Sequence, residues 1–309
     1  MSAQTQRATP LYAVFGNPIG HSRSPHIHAL FAAQTGVTLR YEARLAPIDG
    51  FAQALDAFRA EGGMGANITV PFKFEAWRLC ARRSAAAQLA QAVNTVGWDE
   101  GGLWGDNTDG IGLVRDLARL LGGDPHRPLH GQRLLLLGAG GAASGVLGPL
   151  IAAGARAIAL WNRSGDKAQS LAARHSALAA QHGTDLQVVQ SPPAHWADGV
   201  INATAASLDG KPLDLPEGVL RPGIWAYDMM YGAHDTAFVT QARTAGAQAW
   251  DGLGMLVEQA AQSYTLWHGE APDTAPVLAA LRAELAAPAQ ENAGSPQVFL
   301  SPTGVGQKG

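Results

Sequence analysis

Short apolar runs alternate with stretches of helical period along most of the chain. Leu11 to Gly16 reads as a buried strand, and Pro25 suits the first turn of a helix reaching Thr35. Tyr41 to Leu45 predicts a second strand, Phe51 to Glu61 an amphipathic helix, and Gly65 to Val70 a third strand stopped by Pro71. Phe72 to Cys80 starts a helix and Ala85 to Ala90 adds a short one. Thr95 to Trp98 and Gly102 to Gly105 form a hairpin around Asp99-Glu100-Gly101, and Gly110 to Leu121 is helical. A Gly/Pro/His-rich connector runs from Gly122 to Gly131. The most regular part follows: strand Arg133 to Leu137, helix Ala142 to Ala153, strand Ala157 to Trp161, helix Asp166 to His182, and strands Leu186 to Val189 and Gly199 to Ile201. This is the βαβ alternation of a parallel sheet in an α/β protein. Strand Trp225 to Asp228, helix Ala237 to Ala245, strand Gln248 to Trp250 and closing helices Leu253 to Trp267 and Ala275 to Leu285 complete the pattern. Pro288 to Gly309 is polar without sustained period and predicts a disordered tail.

Composition narrows the function classes. The 309 residues favour two domains at roughly 100–200 residues each. Lys+Arg of 22 against Asp+Glu of 25 gives a net charge of −3, and no local basic patch stands out, so neither nucleic acid nor an anionic membrane is implied as partner. The single cysteine, Cys80, excludes an intramolecular disulfide and suits a reducing cytoplasm. Met1 to Pro10 lacks the apolar core of a signal peptide. Leu134 to Ala155 is free of charge but interrupted repeatedly from Gly138 to Pro149, and reads as strand, turn and helix rather than a membrane span.

The sharpest local signal is Leu134 to Ala143, where an apolar strand runs into Gly138-Ala139-Gly140-Gly141-Ala142-Ala143. This is the context of a dinucleotide fingerprint: Gly138 for the tight turn, Gly140 for approach to a pyrophosphate, Ala143 for close helix packing. A glycine-rich turn without a ligand is the plain alternative. Enzymes that use NAD place Asp or Glu about 20 residues further on, whereas here Asn162-Arg163-Ser164 and Lys167 follow Trp161. Arg163 and Lys167 suit a 2′-phosphate and argue for NADP, although both could be ordinary solvated charges.

The first half offers further polar clusters. Gly16 to Pro25 puts the hydroxyls of Ser22 and Ser24 beside a helix start, suited to a carboxylate or simply to capping. Asn67-Ile68-Thr69-Val70-Pro71-Phe72-Lys73 places two polar residues on one strand face and Lys73 in a helical first turn; a lone Lys after Pro is usually a surface charge. Ala92-Val93-Asn94-Thr95 and Gly105-Asp106-Asn107-Thr108-Asp109-Gly110 add an amide and a carboxylate in turn contexts. His21, His26 and His28 lack the cysteines or carboxylates of a ligand set, and no metal is expected; hydrogen bonding by His21 and His28 would orient the loop.

Together, and in this order, these blocks with Tyr227 to Tyr231 and Asp251 to Ala261 resemble the shikimate dehydrogenase family from about Leu11 to Leu285. The resemblance implies reversible, NADP-dependent reduction of 3-dehydroshikimate to shikimate in aromatic amino-acid biosynthesis. It implies an α/β substrate domain of residues 9–108 plus 253–287 and a Rossmann-type, doubly wound NADP domain of 109–252. Residue by residue, it assigns Lys73 and Asp109 to the reacting oxygen and its neighbour, and Ser22, Ser24, Asn67, Thr69, Asn94, Tyr231 and Gln259 to the substrate. Gly138, Ala139, Gly140, Gly141, Ala142, Asn162, Arg163, Ser164, Lys167, Thr204, Met229, Gly252 and Met255 would surround the cofactor. Ala205-Ala206-Ser207 departs from the family's usual serine/glycine run, and Gly232-Ala233 after Tyr231 is looser than usual. On its amphipathic helix alone Gln259 could be an ordinary solvated residue, and the resemblance raises it to a site residue. A small-molecule substrate, a monomer or homodimer, and hinge closure about crossings near Asp109 and Gly252 complete the expectation. The competing readings are a quinate/shikimate dehydrogenase using NAD and a non-catalytic nucleotide sensor.

Overall fold

The computed structural model describes residues 9–204, 206 and 210–287. The expected tail, Pro288 to Gly309, and Ala205 and Ser207 of the atypical run lie outside the described residues. In chain order the first part comprises β1 (Leu11–Gly16), α1 (Ser24–Thr35), β2 (Arg40–Leu45), α2 (Phe51–Ala60), β3 (Gly63–Ile68), α3 (Lys73–Leu79), β4 (Arg82–Arg83), α4 (Ala85–Ala90), β5 (Thr95–Asp99), β6 (Gly102–Asp106) and α5 (Asp109–Leu121). The second comprises β7 (Arg133–Leu137), α6 (Gly141–Ala152), β8 (Ala157–Trp161), α7 (Gly165–His182), β9 (Asp185–Val188), β10 (Gly199–Asn202), β11 (Trp225–Asp228), α8 (Ala237–Thr244) and β12 (Gln248–Trp250). Helices α9 (Leu253–His268) and α10 (Thr274–Ala286) close the described chain.

The first sheet has the order β2-β1-β3-β5-β6-β4. Its β1 is flanked in parallel by β2 and β3, and every residue of β1 is buried. β5 and β6 add an antiparallel hairpin. The edge strand β4 escapes the sequence pattern, because two arginines have no apolar alternation and their pairing with Trp104 and Gly105 is long-range. β3 ends at Ile68, two residues before the expected end at Val70. Past it the Thr69 N–H still bonds Phe15 O at 2.8 Å while the chain turns towards Pro71.

The second sheet is wholly parallel with the order β12-β11-β10-β7-β8-β9. Numbered within this unit, that is 3-2-1-4-5-6 read from the β9 edge, the doubly wound order whose direction of travel reverses between β7 and β10. Ligands of such sheets bind outside the carboxyl ends of the strands at that switch point. The charge-free run from Leu134 to Ala155 divides into β7 and α6, and among the described residues no helix is long and apolar enough to cross a membrane.

Two close approaches set how the parts meet. Pro149 inside α6 has no N–H for the Gly145 carbonyl, and the bare Cα of Gly110 on α5 comes up against both: a Cβ there would lie 2.5 Å from Gly145 O and closer still to Pro149 Cγ. After β12 the chain returns to the first sheet's side. Leu253, Val257, Tyr264, Val277 and Leu281 of α9 and α10 bury against Ile27 and Phe31 of α1.

Candidate active site

Lys73 and Asp109 are each the first residue of a helix, α3 and α5. Helix starts fix side chains because the surrounding backbone is itself hydrogen-bonded: Val93 N–H bonds Lys73 O at 2.9 Å, and the Asp109 N–H bonds Asn107 Oδ1 at 3.1 Å. Lys73 Nζ consequently lies 2.5 Å from Asp109 Oδ2, with the side chains only 15% and 7% exposed. The other carboxylate oxygen, Oδ1, accepts from Asn94 Nδ2 at 2.9 Å.

Asn94 is held in one orientation. Its Oδ1 accepts the Thr108 backbone N–H at 2.8 Å, so its Nδ2 must face Asp109, Thr108 Oγ1 at 2.9 Å and Gln259 Oε1 at 3.2 Å. Gln259 is thus buried, with Nε2 donating to Leu256 O at 2.8 Å; it is not the solvated glutamine that an amphipathic helix would allow. Asn67 accepts from the Tyr41 hydroxyl at 2.7 Å and donates to Ser263 Oγ at 2.9 Å. Thr95 and Ser263 share a hydrogen bond of 2.7 Å, and Ser263 donates to Gln259 O at 3.0 Å. Amides and hydroxyls from separate strands and helices therefore form one buried network under the Lys73–Asp109 pair.

Tyr41, Thr95, Thr108 and Ser263 carry part of that network, and sequence reasoning does not reach them as site residues. Ser263 has a signal in its spacing, since it lies four residues beyond Gln259 on the same helix face. Ser22 and Ser24 stand at the start of α1, where the Ser24 N–H bonds Ser22 Oγ at 3.3 Å. Thr69 is half-buried beside Gly16, whose missing Cβ leaves room for Thr69 Cγ2. Tyr231 packs against the α1–α9 cluster, and burial holds its phenol above the ordinary range. The expected orienting role of His28 by hydrogen bonding does not hold. Its ring is fully buried, stacked on Tyr41 at 4.1 Å, and its nitrogens make no well-formed hydrogen bond among the described residues. Burial pushes its pKa down to about 3.

The phosphate-loop candidates lie at the switch point. Gly138 has φ +114°, a left-handed conformation open to glycine, and its bare Cα sits against Ala203 and Thr204 of the loop after β10. Gly140, exposed, precedes α6 with nothing within 4 Å of where a Cβ would be. A Cβ on Gly141 would lie 3.7 Å from Lys73 Cβ, which puts the lysine beside this loop. Ala139 and Ala143 are buried, and Ala142 is half-buried. Thr204 Oγ1 donates to Asn202 Oδ1 at 2.7 Å. Met229 and Met255 are both buried, in the core of the second sheet, and the bare Cα of Gly252 admits the Met229 carbonyl.

Beyond β8, Asn162 Nδ2 donates to Ser164 O at 2.9 Å, while Arg163, Ser164 and Lys167 are exposed, the two cations without an ion pair among the described residues. These residues fit a dinucleotide with a 2′-phosphate. The fingerprint turn leads into the N-terminus of α6 with Gly140 uncrowded, and two cations follow the neighbouring strand with no carboxylate paired to them among the described residues.

Family models agree with this arrangement. Residues 14–96 match the shikimate dehydrogenase substrate binding domain, 121–208 match shikimate / quinate 5-dehydrogenase, and 252–282 match the shikimate 5′-dehydrogenase C-terminal domain. Shikimate dehydrogenase (NADP(+)) of Acidovorax sp. (strain JS42) is 55% identical over 282 residues, covering 91% of this chain and 98% of that relative. Among solved structures, an Ael1 enzyme from Pseudomonas putida is 42% identical with a TM-score of 0.79, over 88% of this chain and 98% of that one. Shikimate 5-dehydrogenase from Thermus thermophilus, in complex with NADP(H) and shikimate, is 32% identical with a TM-score of 0.77, over 89% and 99%. With motifs, topology and relatives in accord over nine-tenths of its length, the chain belongs to the shikimate dehydrogenase family.

Proposed function

We propose that this protein, an NADP-dependent shikimate dehydrogenase, interconverts shikimate and 3-dehydroshikimate with Lys73 and Asp109 handling the proton. The observation that carries the reading is the Lys73–Asp109 pair, 2.5 Å apart and largely withdrawn from water beside Gly141. When bound, the nicotinamide supplies or takes the hydride. In the direction of reduction, negative charge grows on the ketone oxygen, and Lys73 Nζ gives that oxygen a hydrogen bond and then the proton. Asp109 holds Nζ in place through Oδ2, while Asn94 holds Asp109 through Oδ1. In the reverse direction the hydroxyl proton returns along the same contact.

Ser22 and Ser24 would take the substrate carboxylate, with Asn67, Thr69, Asn94, Tyr231 and Gln259 around the ring. Gly138 to Ala142 would hold the pyrophosphate and Asn162, Arg163, Ser164 and Lys167 the 2′-phosphate, with Thr204, Met229, Gly252 and Met255 beside the remainder. Residues 9–108 with 253–287 would form the substrate domain and 109–252 the cofactor domain. The test is the initial rate of NADP reduction by the purified chain with shikimate, run beside quinate and beside NAD. Shikimate with NADP is expected to be the fastest pair; a faster rate with quinate and NAD would replace this reading by that of a quinate dehydrogenase, and no turnover would leave a nucleotide sensor.

A further inference from the structure

Helix α9 begins without a side-chain cap: Gly252 stands at its N-cap, and the N–H groups of a first turn have no acceptor inside the helix, so they must be satisfied from outside. The Gly252 N–H bonds Met230 O at 3.0 Å, and the Leu253 N–H bonds Asp251 Oδ1 at 3.2 Å. Met255 is different. Its N–H reaches 28 residues back, to the phenol oxygen of Tyr227 on β11, at 3.3 Å. The same oxygen lies 2.7 Å from Oδ2 of Asp116, on the helix α5 that begins with Asp109. A carboxylate only accepts, so the phenol hydrogen points at Asp116 and a lone pair is left for the Met255 N–H. Tyr227 and Asp116 are both fully buried. Burial, with the Asp116 charge beside it, holds the phenol well above its ordinary pKa, and the hydrogen stays in place. Two glycines let the three elements meet. A Cβ on Gly254 would run into the Asp116 carboxylate, and one on Gly112 of α5 would lie 2.9 Å from Met255 O and 2.8 Å from Gln259 N. Arg119, half-exposed, donates to the other carboxylate oxygen of Asp116, Oδ1, at 2.6 Å.

We propose that Tyr227 is a positioning residue for the cofactor: by accepting from Met255 while donating to Asp116, its phenol holds the first turn of α9, and with it Gly252 and Met255, where they meet the dinucleotide. The inference rests on the reading of Gly252 and Met255 as cofactor residues given above. Without the phenol oxygen the Met255 N–H has no acceptor, and the first turn of a helix is held only by such outside partners. Gln259, one turn further on, does not depend on this clamp. Its Oε1 accepts from Asn94, and its backbone carbonyl accepts from Thr108 Oγ1 and Ser263 Oγ, each at 3.0 Å. Loosening the clamp therefore weakens the cofactor and spares the substrate.

The experiment uses the full chain and reads NADPH affinity from the fluorescence of the reduced nicotinamide, without turnover, beside steady-state kinetics. Tyr227→Phe keeps the ring and removes the oxygen. It should raise the Kd for NADPH about three- to tenfold, the worth of roughly one hydrogen bond, and the KM for NADP in step, with the KM for shikimate and kcat nearly unchanged. Asp116→Ala keeps the phenol and removes the acceptor that orients its hydrogen, and should give the same split to a smaller extent. Arg119→Ala removes the ion pair and leaves the clamp; it should lower the melting temperature with wild-type NADPH affinity, which separates loss of stability from loss of position. In the wild type the Met255 amide should exchange with deuterium as slowly as amides in the middle of α9, a measurement that needs no variant to fold. Unchanged NADPH affinity in a folded Tyr227→Phe or Asp116→Ala protein, an equal loss in Arg119→Ala, a parallel rise in the KM for shikimate, or fast exchange at Met255 would overturn the proposal. Met255→Ala tells its failure from that of the underlying reading: unchanged NADPH affinity there removes Met255 from the cofactor site, whereas a loss there with none in Tyr227→Phe removes the clamp alone.

Discussion

Lys73→Met separates what the ammonium does for the reaction from what it does for the fold. The substitution keeps the apolar stem and removes the cation 2.5 Å from Asp109 Oδ2. Positioned proton transfer is worth about 10²–10⁴-fold, so kcat should fall by that factor, or about 3–5 kcal/mol of transition-state stabilisation. KM should change little, because the proton moves only in the transition state. The fold pays separately. Asp109 is left 7% exposed with an unpaired charge, a loss of about 3–5 kcal/mol for a fully buried pair. The Asn94 hydrogen bond at 2.9 Å survives and Lys73 is 15% exposed, which brings the figure to about 2–3 kcal/mol. That corresponds to a fall in Tm of roughly 4–10 °C. Adding Asp109→Asn removes the stranded charge, so the double variant should recover most of the Tm and none of the kcat. Steady-state kinetics and thermal melts on the single and double variants and the wild type provide the assay. A kcat within tenfold of wild type, or a defect confined to KM, refutes the role of Lys73; an unchanged Tm refutes the argument that the pair is desolvated.

Three further outcomes are expected. Arg163→Ala should raise the KM for NADP about 10–100-fold, the worth of a charge-assisted contact, and leave that for NAD nearly unchanged; an equal rise for both would place the 2′-phosphate elsewhere. Gly110→Ala puts a Cβ 2.5 Å from Gly145 O and against Pro149, and should cost about 1–3 kcal/mol in denaturant titration, with a wild-type midpoint showing that α5 and α6 can separate freely. His28 stays neutral in the folded chain down to about pH 3, whereas the unfolded chain protonates it near its ordinary value of 6.5, so the unfolded state binds more protons between these limits. Stability from this residue is therefore complete above pH 6.5 and is lost as the pH falls, by about 2 kcal/mol at pH 5; His28→Phe should flatten the dependence of unfolding free energy on pH in this range, and parallel profiles would count against the account.

Local chemistry explains why some features are legible in the chain and others are not. The glycine-rich turn from Gly138 to Ala142 is contiguous, and its strand, turn and helix each have their own signal. The Lys73–Asp109 pair is of another kind. Lys73 and Asp109 are 36 residues apart, and nothing within either turn says that the two helix starts face each other. Ser263 and Tyr41 join the polar network only because α9 folds back over the first sheet and β2 pairs with β1. His28 misleads for the same reason: a polar ring in a polar loop motif suggests hydrogen bonding, but α1 turns it into an aromatic cluster with Tyr41 and Trp267.

By itself, the sequence determined the α/β class, nearly every strand and helix, the glycine-rich turn between β7 and α6, and the family with its NADP cofactor. These follow from periodicity, turn residues and short motifs, whose free energies are set within a few neighbouring residues. Only the tertiary structure decided that Asn94 is clamped between Thr108, Asp109 and Gln259, that Lys73 rests against Gly141, and that Leu89 of α4 packs on Gly148 of α6. Those contacts join segments far apart in the chain. They exist because burying the apolar faces of two sheets and their helices outweighs the entropy of closing the loops between them, and no local window of sequence records which faces will meet.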